Sequence, residues 1–509
     1  MAAAGSAARG RWLLSSALLL TVCLVTALSC LLASLLSKPD IRFLVLLDAG
    51  SVHTSVYTYR SVMALMWCIL LVINIKSCFR YYSTGPGSLD VAEVHACDVG
   101  LIGISSFAKN PAEAAEFVAK DACVLESVAR IPAAARANSS VELCATAGMR
   151  VMRLADPDTA QLILGNLTEQ LEQLQLGAAG ARILSGREEA VRGWVTALQL
   201  TGGAVGALDW GGASAQLTVP VSSAEHARHE ETDQEITVAG VTYSLHSQSN
   251  LCYGQAEALN RHRAALLLDH YRQHGSSFGN LTSVAVPDPC LPAGAVLAAA
   301  PLAQLFSSPC TQLRDSALMR SILAAGNLAV SFVPATASYD TCSSRIEDQF
   351  VPSVCGDTWE PQPGEDTCLD PSLVPRPPRG LQYLAMSTYW YLTQGMNLTG
   401  SFSLDQFTAS SREVCALAAS DPGLGHLDDA SAVTACFQSV LMLRLLTSGY
   451  HFTAASWPQL HFVKRVTGAE VGWSLGHAVM EANSLEMEGH QYIRSDLFPK
   501  RLFREAFQK

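Results

Sequence analysis

"FLVLLDAGSVHTSVYTYR", residues 43–60, joins an apolar run to an acid, two small residues and several hydroxyl or imidazole side chains. The five apolar residues from Phe43 to Leu47 predict a buried strand. Residues 48–51, Asp-Ala-Gly-Ser, predict a tight turn, in which Gly50 allows a close backbone approach. Residues 56–59 suit a second strand, so the stretch predicts a β-hairpin. An ordinary surface turn has the same pattern, and this stretch alone does not exclude it.

A second stretch repeats the same order of residue types. "VGALDWGGASAQLTV", residues 205–219, has an apolar run, Asp209, a glycine pair, Ser214 and a strand-like alternation. Two such hairpins predict two related lobes, each contributing one loop to a shared cleft. Loops of small residues expose backbone N–H groups to anionic oxygens, so the pair indicates phosphate and metal chemistry.

Between the hairpins, "LCATAGMRVM", residues 143–152, has a small-residue centre flanked by apolar residues. It predicts a strand with a sharp end, where Thr146, Ala147 and Gly148 permit close approach. A buried strand without a functional role is the alternative.

"ARILSGREEAVRGWVTALQL", residues 181–200, predicts a strand, a turn and a helix. Ser185 and Glu188 have the spacing of a capping box at the helix start. Glu189 has no capping role, and a carboxylate in the first helical turn that faces a cleft is a candidate general base. A solvated charged face is the alternative for this glutamate pair.

The composition places the chain among folded proteins with a membrane segment. It has 509 residues, 49% hydrophobic and 16% charged, and its net charge of −11 argues against a nucleic-acid partner. Residues 13–36 form an uncharged run that is long enough for a transmembrane helix of ~20 residues. Arg9 and Arg11 precede this run and predict a cytoplasmic N-terminus. Cleavage of the segment as a signal peptide is the alternative.

The cysteines and glycosylation motifs agree with a secretory route. The chain has 15 cysteines, and none of the eleven outside the two apolar stretches forms a CxxC pair, so disulfides are expected. Four N-glycosylation motifs are present. They begin at Asn138, Asn166, Asn280 and Asn397.

Further along the chain, helical segments and loops alternate. Residues 356–380 are rich in Pro and charge and predict a loop. Helices are expected at 254–273, 381–396, 404–448 and 471–483. The final residues, "SDLFPKRLFREAFQK", are polar and basic and cannot cross a bilayer, so a single N-terminal anchor is predicted.

Five motifs in order resemble the apyrase family of ectonucleoside triphosphate diphosphohydrolases: "DAGSVHTS", "ATAGMR", "SGREEAVRGW", "ALDWGGASAQ" and "VGWSLGH". The resemblance implies an α/β, two-lobed actin/hexokinase-like (RNase H-like) fold that follows the N-terminal transmembrane helix. The expected organisation is a cytoplasmic tail (1–12), an anchor (13–36), lobe I (38–186, with an atypical apolar segment at 61–90), lobe II (187–465), a C-terminal helix returning to lobe I (466–490) and a polar tail (491–509).

The resemblance also implies roles for individual residues. Asp48 and Asp209 would hold Ca²⁺ or Mg²⁺, largely through water. Glu189 would be the base for the attacking water, helped by Thr146, Ser214 and Gln216. Phosphate contacts would come from Ser51, His53, Thr54, Gly211, Gly212, Ala213 and Ser214. Trp473 would brace the closing helix, and Tyr389, Trp390 or Tyr391 would either stack on the base or pack.

The family's pattern further implies a set of disulfides. They are Cys97–Cys123, Cys252–Cys310, Cys290–Cys342, Cys355–Cys368 and Cys415–Cys436, which leaves Cys144 unpaired. Sequence alone does not fix these pairings.

The chain departs from the family at several positions. Val52 stands where a second Ser is usual, Ala215 where Thr is usual, Arg187 for Gln and Ala190 for Gly. In place of a polar turn, residues 62–75 form an apolar run, too short for a span and long for an exposed loop. Three explanations of this run are open: an added buried element, a membrane-dipping segment, or sequence translated from retained non-coding RNA.

The expected function is extracytoplasmic hydrolysis of the terminal phosphate of nucleoside tri- and diphosphates. The expected location is the plasma membrane, or else the membrane of the ER or Golgi. The sequence does not decide whether the protein forms a homo-oligomer. One alternative is a nucleotide-binding or structural variant disabled by the 61–90 segment. A phosphotransferase or polyphosphatase with the same fold is the other, although the glycosylation motifs and cysteines count against a cytosolic kinase.

Overall fold

The computed structural model describes residues 40–63, 90–100, 103–221, 233–274, 282–311, 328–335, 338–350, 366, 369–419 and 429–484. Several predictions lie outside these residues. They concern the N-terminal anchor, most of the 61–90 segment, the motif at Asn280, the Cys355–Cys368 bond and the polar tail.

Within the described residues the strands are β1 (Asp40–Ala49), β2 (Thr54–Met63), β3 (Val91–Gly100), β4 (Ser140–Ala145), β5 (Ala178–Ile183), β6 (Gly206–Trp210), β7 (Ser214–Pro220), β8 (Asp233–Val238), β9 (Val241–Leu251), β10 (Ser283–Asp288), β11 (Ala300–Pro301), β12 (Ala329–Pro334), β13 (Tyr383–Ser387), β14 (Leu460–Phe462), β15 (Arg465–Val466) and β16 (Ala469–Glu470). The helices are α1 (Pro111–Ala119), α2 (Ala122–Ala129), α3 (Ala147–Ala155), α4 (Pro157–Glu172), α5 (Gly186–Thr201), α6 (Gln255–His274), α7 (Leu302–Leu305), α8 (Tyr339–Glu347), α9 (Thr388–Gly395), α10 (Leu404–Ala416), α11 (Asp429–Arg444) and α12 (473–484).

The first sheet has the strand order β3-β2-β1-β4-β5. β1 pairs antiparallel with β2 and parallel with β4, so it is a central strand. This position explains its continuous apolar run, because both faces of a central strand are covered. Val45 and Leu47 pack into the core of the first lobe, and Leu46, on the opposite face, packs toward the second. The predicted hairpin at residues 43–60 is confirmed.

The second sheet repeats this plan. Its order is β14-β13-β6-β7-β9-β8. β6 pairs antiparallel with β7 and parallel with β13, as β1 does with β2 and β4. β8 is an additional edge strand, paired antiparallel with β9. The two aspartate hairpins therefore occupy equivalent central positions in two sheets of the same topology.

Helix α5 lies between the two sheets. Every residue from Glu189 to Leu198 is buried. Helix α12 packs beside it and contacts both lobes: Ser474 accepts a hydrogen bond from Tyr59 of β2 at 2.9 Å, and Asn483 accepts one from the backbone of Ala239 at 3.0 Å. The closing helix therefore joins the first sheet to the second.

The disulfides connect elements that are distant in sequence. Four of the five expected bonds are formed among the described residues: Cys97–Cys123, Cys252–Cys310, Cys290–Cys342 and Cys415–Cys436. Cys144 is buried and unpaired, as the resemblance implied. The middle two bonds flank a small third sheet, β10-β12-β11, which has its own apolar core.

Three predicted elements differ from the structure. The strand expected at 143–152 ends at Ala145, and helix α3 begins at Ala147. The helix expected at 381–396 begins with strand β13, because a strand buried on both faces has no period to separate it from a buried helix. The helix expected at 404–448 is divided between α10 and α11, with residues 420–428 outside the described range.

One helical stretch in the described part, Ser431–Gly449, has the length and hydropathy of a membrane span. It is weak support for a membrane segment, because 67% of it is buried inside the protein and core helices pass the same test. The glycosylation motifs at Asn138 and Asn397 are exposed, and Asn166 is partly exposed on α4.

Candidate active site

The two aspartates hold matching positions at the ends of their strands. Asp48 is the second-last residue of β1 and lies opposite Ser55, and Asp209 is the second-last residue of β6 and lies opposite Gln216. The loops that follow come into contact, because a methyl group on Gly212 would overlap the Ser51 hydroxyl. The structure therefore brings the two predicted loops together at one cleft.

The loop of the second hairpin is held from behind by the start of α6. The N–H groups of Gln255 and Ala256 donate to the carbonyl oxygens of Gly211 and Gly212 at 2.9 and 2.8 Å. Cys252 N–H donates to the Ala213 carbonyl at 2.8 Å. The Gly211 N–H donates to the Ser214 carbonyl at 3.0 Å, so this N–H is already used within the loop.

The loop of the first hairpin has fewer supports. Thr146 donates its backbone N–H to the Ala49 carbonyl at 3.1 Å, and its hydroxyl lies 3.4 Å from the same oxygen. Of the predicted phosphate contacts here, Ser51 and His53 are accessible. Thr54 is fully buried in β2, which places its side chain away from solvent.

Three carboxylates converge on the cleft and disfavour one another's charge. Burial raises the pKa of Asp48 well above its usual range, and the charges of Glu189 and Asp209 raise it further. A hydrogen bond from Trp473 lowers this pKa but does not cancel the rise. Burial also raises the pKa of Asp209, although hydrogen bonds from Ser387 and the Trp210 backbone lower it in part. Closely spaced carboxylates of this kind, two partly buried and one buried, fit a hard divalent cation.

Glu189 is buried at the first turn of α5, with 8% of its surface exposed. Burial raises the pKa of this carboxyl to about 7, an ion pair with Arg150 lowers it, and the charges of Asp209 and Asp366 raise it. A carboxyl group with a pKa near neutrality can both accept and release a proton at physiological pH. Its neighbour Glu188 forms the predicted capping box with Ser185.

Arg150, in the "ATAGMR" motif, is a candidate site residue for which the sequence predicted no role. Its guanidinium, 1% exposed, pairs with Glu189 and Asp366 at 2.7 Å each and donates to the Ser214 hydroxyl at 3.1 Å. Burial lowers the pKa of Arg150, but the charges of Asp366 and Glu189 outweigh this effect and raise it, so the guanidinium stays charged. Arg150 is the fourth residue of α3, so its side chain projects from the first turn of this helix. It reaches the second hairpin through its contact with Ser214.

The contacts of Arg150 are part of a closed hydrogen-bond ring. Asp366 accepts from the Ser249 hydroxyl at 2.6 Å, and the Gln216 amide nitrogen donates to Ser249 at 2.9 Å and to Ser214 at 2.6 Å. The ring therefore runs Arg150, Asp366, Ser249, Gln216, Ser214 and back to Arg150. Gly186 closes one side, since a methyl group there would overlap the Asp366 carboxylate.

Asp366 and Ser249 were not predicted as site residues. Asp366 belongs to the Pro-rich stretch that predicted only a loop, and it meets Arg150 across 216 residues of sequence. No local pattern marks such a pair. The arginine of the "ATAGMR" motif offered the one usable signal, because a buried arginine requires anionic partners.

The aromatic residues after β13 divide into two kinds. Tyr389 is fully buried and packs against Trp210, with 5.4 Å between ring centroids, so it has a packing role. Tyr391 is 52% exposed, and the Lys464 ammonium lies 5.0 Å from its ring centroid. Trp473, 4% exposed, packs in the cluster between the lobes and also supports Asp48.

The departures from the family pattern fall in different environments. Val52 is 44% exposed in the first loop, where its side chain has room. Ala215 and Ala190 are buried in β7 and α5.

Comparisons with known proteins agree with this geometry. The sequence profile of the GDA1/CD39 (nucleoside phosphatase) family matches residues 34–496. The chain is 29% identical over 466 residues to ectonucleoside triphosphate diphosphohydrolase 3 of Mus musculus, covering 88% of this chain and 79% of that protein. It is 30% identical over 486 residues to ectonucleoside triphosphate diphosphohydrolase 8 of Homo sapiens, covering 89% and 86%.

Among solved structures, the fold is similar to that of a nucleoside triphosphate hydrolase from Neospora caninum, with a TM-score of 0.57, 13% identity, and coverage of 88% of this chain and 93% of that one. This likeness concerns the fold, whereas the sequence matches carry the relationship. The resemblance to the ectonucleoside triphosphate diphosphohydrolases is thereby confirmed, and with it an apyrase-type hydrolase. The chain belongs to the GDA1/CD39 (nucleoside phosphatase) family.

Proposed function

We propose that this protein hydrolyses the terminal phosphate of nucleoside tri- and diphosphates by attack of a water molecule that Glu189 activates. The observation that carries the proposal is the convergence of Asp48, Asp209 and Glu189 at the contact between two small-residue loops. The matches to nucleoside phosphatases support nucleotides as the substrate class.

The donor set fits a divalent cation. Asp48 and Asp209 carry raised pKa values and each receives a single side-chain hydrogen bond, from Trp473 and Ser387, so both keep oxygen lone pairs for other partners. Ca²⁺ or Mg²⁺ would be held by these two aspartates, largely through water, and would supply charge neutralisation at the phosphates.

Glu189 is suited to remove a proton from the attacking water. Its pKa of about 7 makes the carboxylate available at neutral pH while keeping it a stronger base than a solvated glutamate. Arg150 fixes its position with a 2.7 Å ion pair. Thr146, at the start of α3, would assist from the side of the first lobe.

The hydrogen-bond ring determines what Ser214 and Gln216 can offer. The Ser214 hydroxyl accepts from Arg150 and Gln216, so both acceptor positions are taken and its hydrogen remains for a phosphate or water oxygen. Gln216 uses both amide hydrogens, on Ser214 and Ser249, so its carbonyl oxygen remains to accept from the water. This arrangement positions the nucleophile for in-line attack, which is what phosphoryl transfer chiefly needs.

Phosphate oxygens would be bound by Ser51 and His53 of the first loop and by the backbone of Gly212, Ala213 and Ser214 in the second. Tyr391 offers an exposed ring on which a nucleotide base can stack, with Lys464 beside it. The four disulfides support an oxidising compartment, so we place the catalytic part outside the cell or in the lumen, anchored through residues 13–36.

The test is cation-dependent release of phosphate from ATP and ADP by the purified full chain, compared with Glu189→Gln. We expect this substitution to lower kcat by roughly 10²- to 10⁴-fold, because it removes the base without changing size. Glu188→Gln is the matched control, since its amide oxygen can still accept from the Ser185 backbone. It should retain activity within about threefold.

Equal activity in Glu189→Gln and the parent would refute the assigned base. Nucleotide binding without phosphate release, in a well-folded parent, would favour the alternative of a catalytically disabled variant. A parallel chain lacking residues 61–90 tells whether that segment is the cause.

A further inference from the structure

We propose that Glu142, Cys144 and His477 form a binding site for a borderline-soft divalent cation such as Zn²⁺, separate from the aspartate site of the cleft. Glu142 and Cys144 are two residues apart on β4 and so lie on the same face of the sheet. Helix α12 brings His477 against that face. One ligand atom from each residue lies within 4.8 Å of the others.

His477 provides the second observation. It is fully buried, and its Nε2 lies 2.8 Å from an oxygen of Glu142. Its Nδ1 is also buried and has no hydrogen-bond partner among the residues that the structure describes. An ion bound by Glu142 would be bound by Nε2, the ring nitrogen that faces this carboxylate, and Nδ1 would then carry the imidazole proton.

The chemistry of the three residues selects the kind of ion. Thiolate, imidazole and carboxylate are the ligands of zinc sites, whereas Ca²⁺ and Mg²⁺ prefer oxygen alone. Three protein ligands leave a fourth position for water, and the thiol proton passes to solvent when the metal binds. Cys144 is available because it forms no disulfide, unlike the eight cysteines in the four bonds described above.

The surrounding charges are compatible with a dication. Arg182 donates to the other oxygen of Glu142 at 2.8 Å, an arrangement that orients a ligating carboxylate. Arg182 also pairs with Glu188 at 3.0 Å, and Arg192 pairs with the same glutamate at 3.0 Å. Glu188 thereby offsets part of the positive charge near the site.

An ion at this position would cross-link strand β4 to helix α12. β4 leads directly into Thr146, and α12 begins with Trp473, which supports Asp48. The site therefore lies behind the cleft and joins two elements that reach it.

The experiment is a titration of the full chain, stripped with chelator, with Co²⁺ and then Zn²⁺ in excess Mg²⁺. We expect one equivalent of Co²⁺ to give a thiolate-to-metal charge-transfer band in the near-ultraviolet, and Zn²⁺ to displace it. Cys144→Ser should abolish the band, and His477→Gln should weaken affinity at least roughly 10-fold. No band in the parent chain, or an undiminished band in Cys144→Ser, would overturn the proposal.

Thermal unfolding gives a second readout that does not depend on the cysteine variant. Zn²⁺ should raise the melting temperature of the parent chain more than that of His477→Gln, because stabilisation by binding to the folded state falls as the affinity falls. An equal rise in both proteins would also overturn the proposal, since the ion would then bind elsewhere.

Discussion

The two aspartate hairpins share a strand plan but differ in what stands behind them. The loop after β6 has its carbonyl oxygens held by the start of α6, and Ser214 belongs to a buried ring of five side chains. The loop after β1 is tied mainly by Thr146 and by α12, through Trp473. Two loops with the same chemistry are therefore held by different means, one by a rigid network and the other by neighbouring helices.

This difference identifies where the chain can vary. Val52, a departure from the family pattern, lies exposed in the loop after β1, whereas the residues from Gly212 to Ser214 are all buried. A buried loop tolerates fewer substitutions than an exposed one.

The largest effect is expected at Arg150. Arg150→Met leaves the carboxylates of Glu189 and Asp366 buried without their cation, and breaking a buried ion pair in this way costs about 3–5 kcal/mol. Chemical denaturation should show a large drop in the unfolding midpoint. The control is Arg130→Met, which removes an exposed pair with Glu126 and should leave the midpoint unchanged. Similar midpoints for the two variants would show that the ring does not stabilise the second loop.

The next effect concerns the contact between the loops. Gly212→Ala places a methyl group on the Ser51 hydroxyl and should lower kcat/KM for ATP by roughly 10- to 100-fold by separating the loops. Gly211→Ala is the matched control, because the nearest atom to its methyl group is 3.6 Å away. Equal losses would mean that the methyl group, wherever it is placed, disturbs the loop itself.

Support of the two aspartates is the third test. Trp473→Phe removes the hydrogen bond to Asp48, and we expect the cation concentration for half-maximal activity to rise roughly 10-fold. Ser387→Gly removes the corresponding hydrogen bond to Asp209 and keeps a backbone at φ 59°, which glycine adopts readily. A smaller change is expected there, since Asp209 also accepts from the Trp210 backbone. The reverse order would show that the second aspartate depends more on its neighbours.

The smallest effect is a shift in the pH profile. Glu189 acts as the base only when ionised, so kcat/KM should fall as pH decreases through its pKa, with a midpoint no higher than about 7, because a bound cation favours the carboxylate. Asp366→Asn removes a negative charge that raises this pKa, so the midpoint should move to lower pH by a fraction of a unit. His53→Gln, in the loop after β1, should leave the midpoint in place. A profile that follows His53 instead would reassign the titrating group.

Local sequence patterns predicted those parts of the fold that depend on local physics. The hairpin at 43–60, the repeat around Asp209, the capping box at Ser185 and the helix at 471–483 all follow from short-range spacing. The strand at 383–387 was mistaken for helix because its burial on two faces removes the alternation that distinguishes a strand.

The second layer of the site could not be predicted in this way. The ring around Arg150 joins residues from four separate segments, and its Asp366 lies in a stretch without periodicity. Only the folded chain shows that these groups neutralise one another. The two aspartate hairpins and Glu189 could be chosen as candidates from their local residue types, whereas the other cleft residues were predicted from the family resemblance, and their roles stay predictions.

The contacts of α12 have a consequence for the order in which the protein can fold during synthesis. Tyr59 bonds to Ser474, 415 residues later in the chain, and Trp473 supports Asp48. The amino-terminal lobe therefore leaves the ribosome long before the helix that covers its inner face. Its exposed apolar surface must wait, in an incomplete state, until the intervening residues and α12 have been made, which is the interval in which folding assistance matters most.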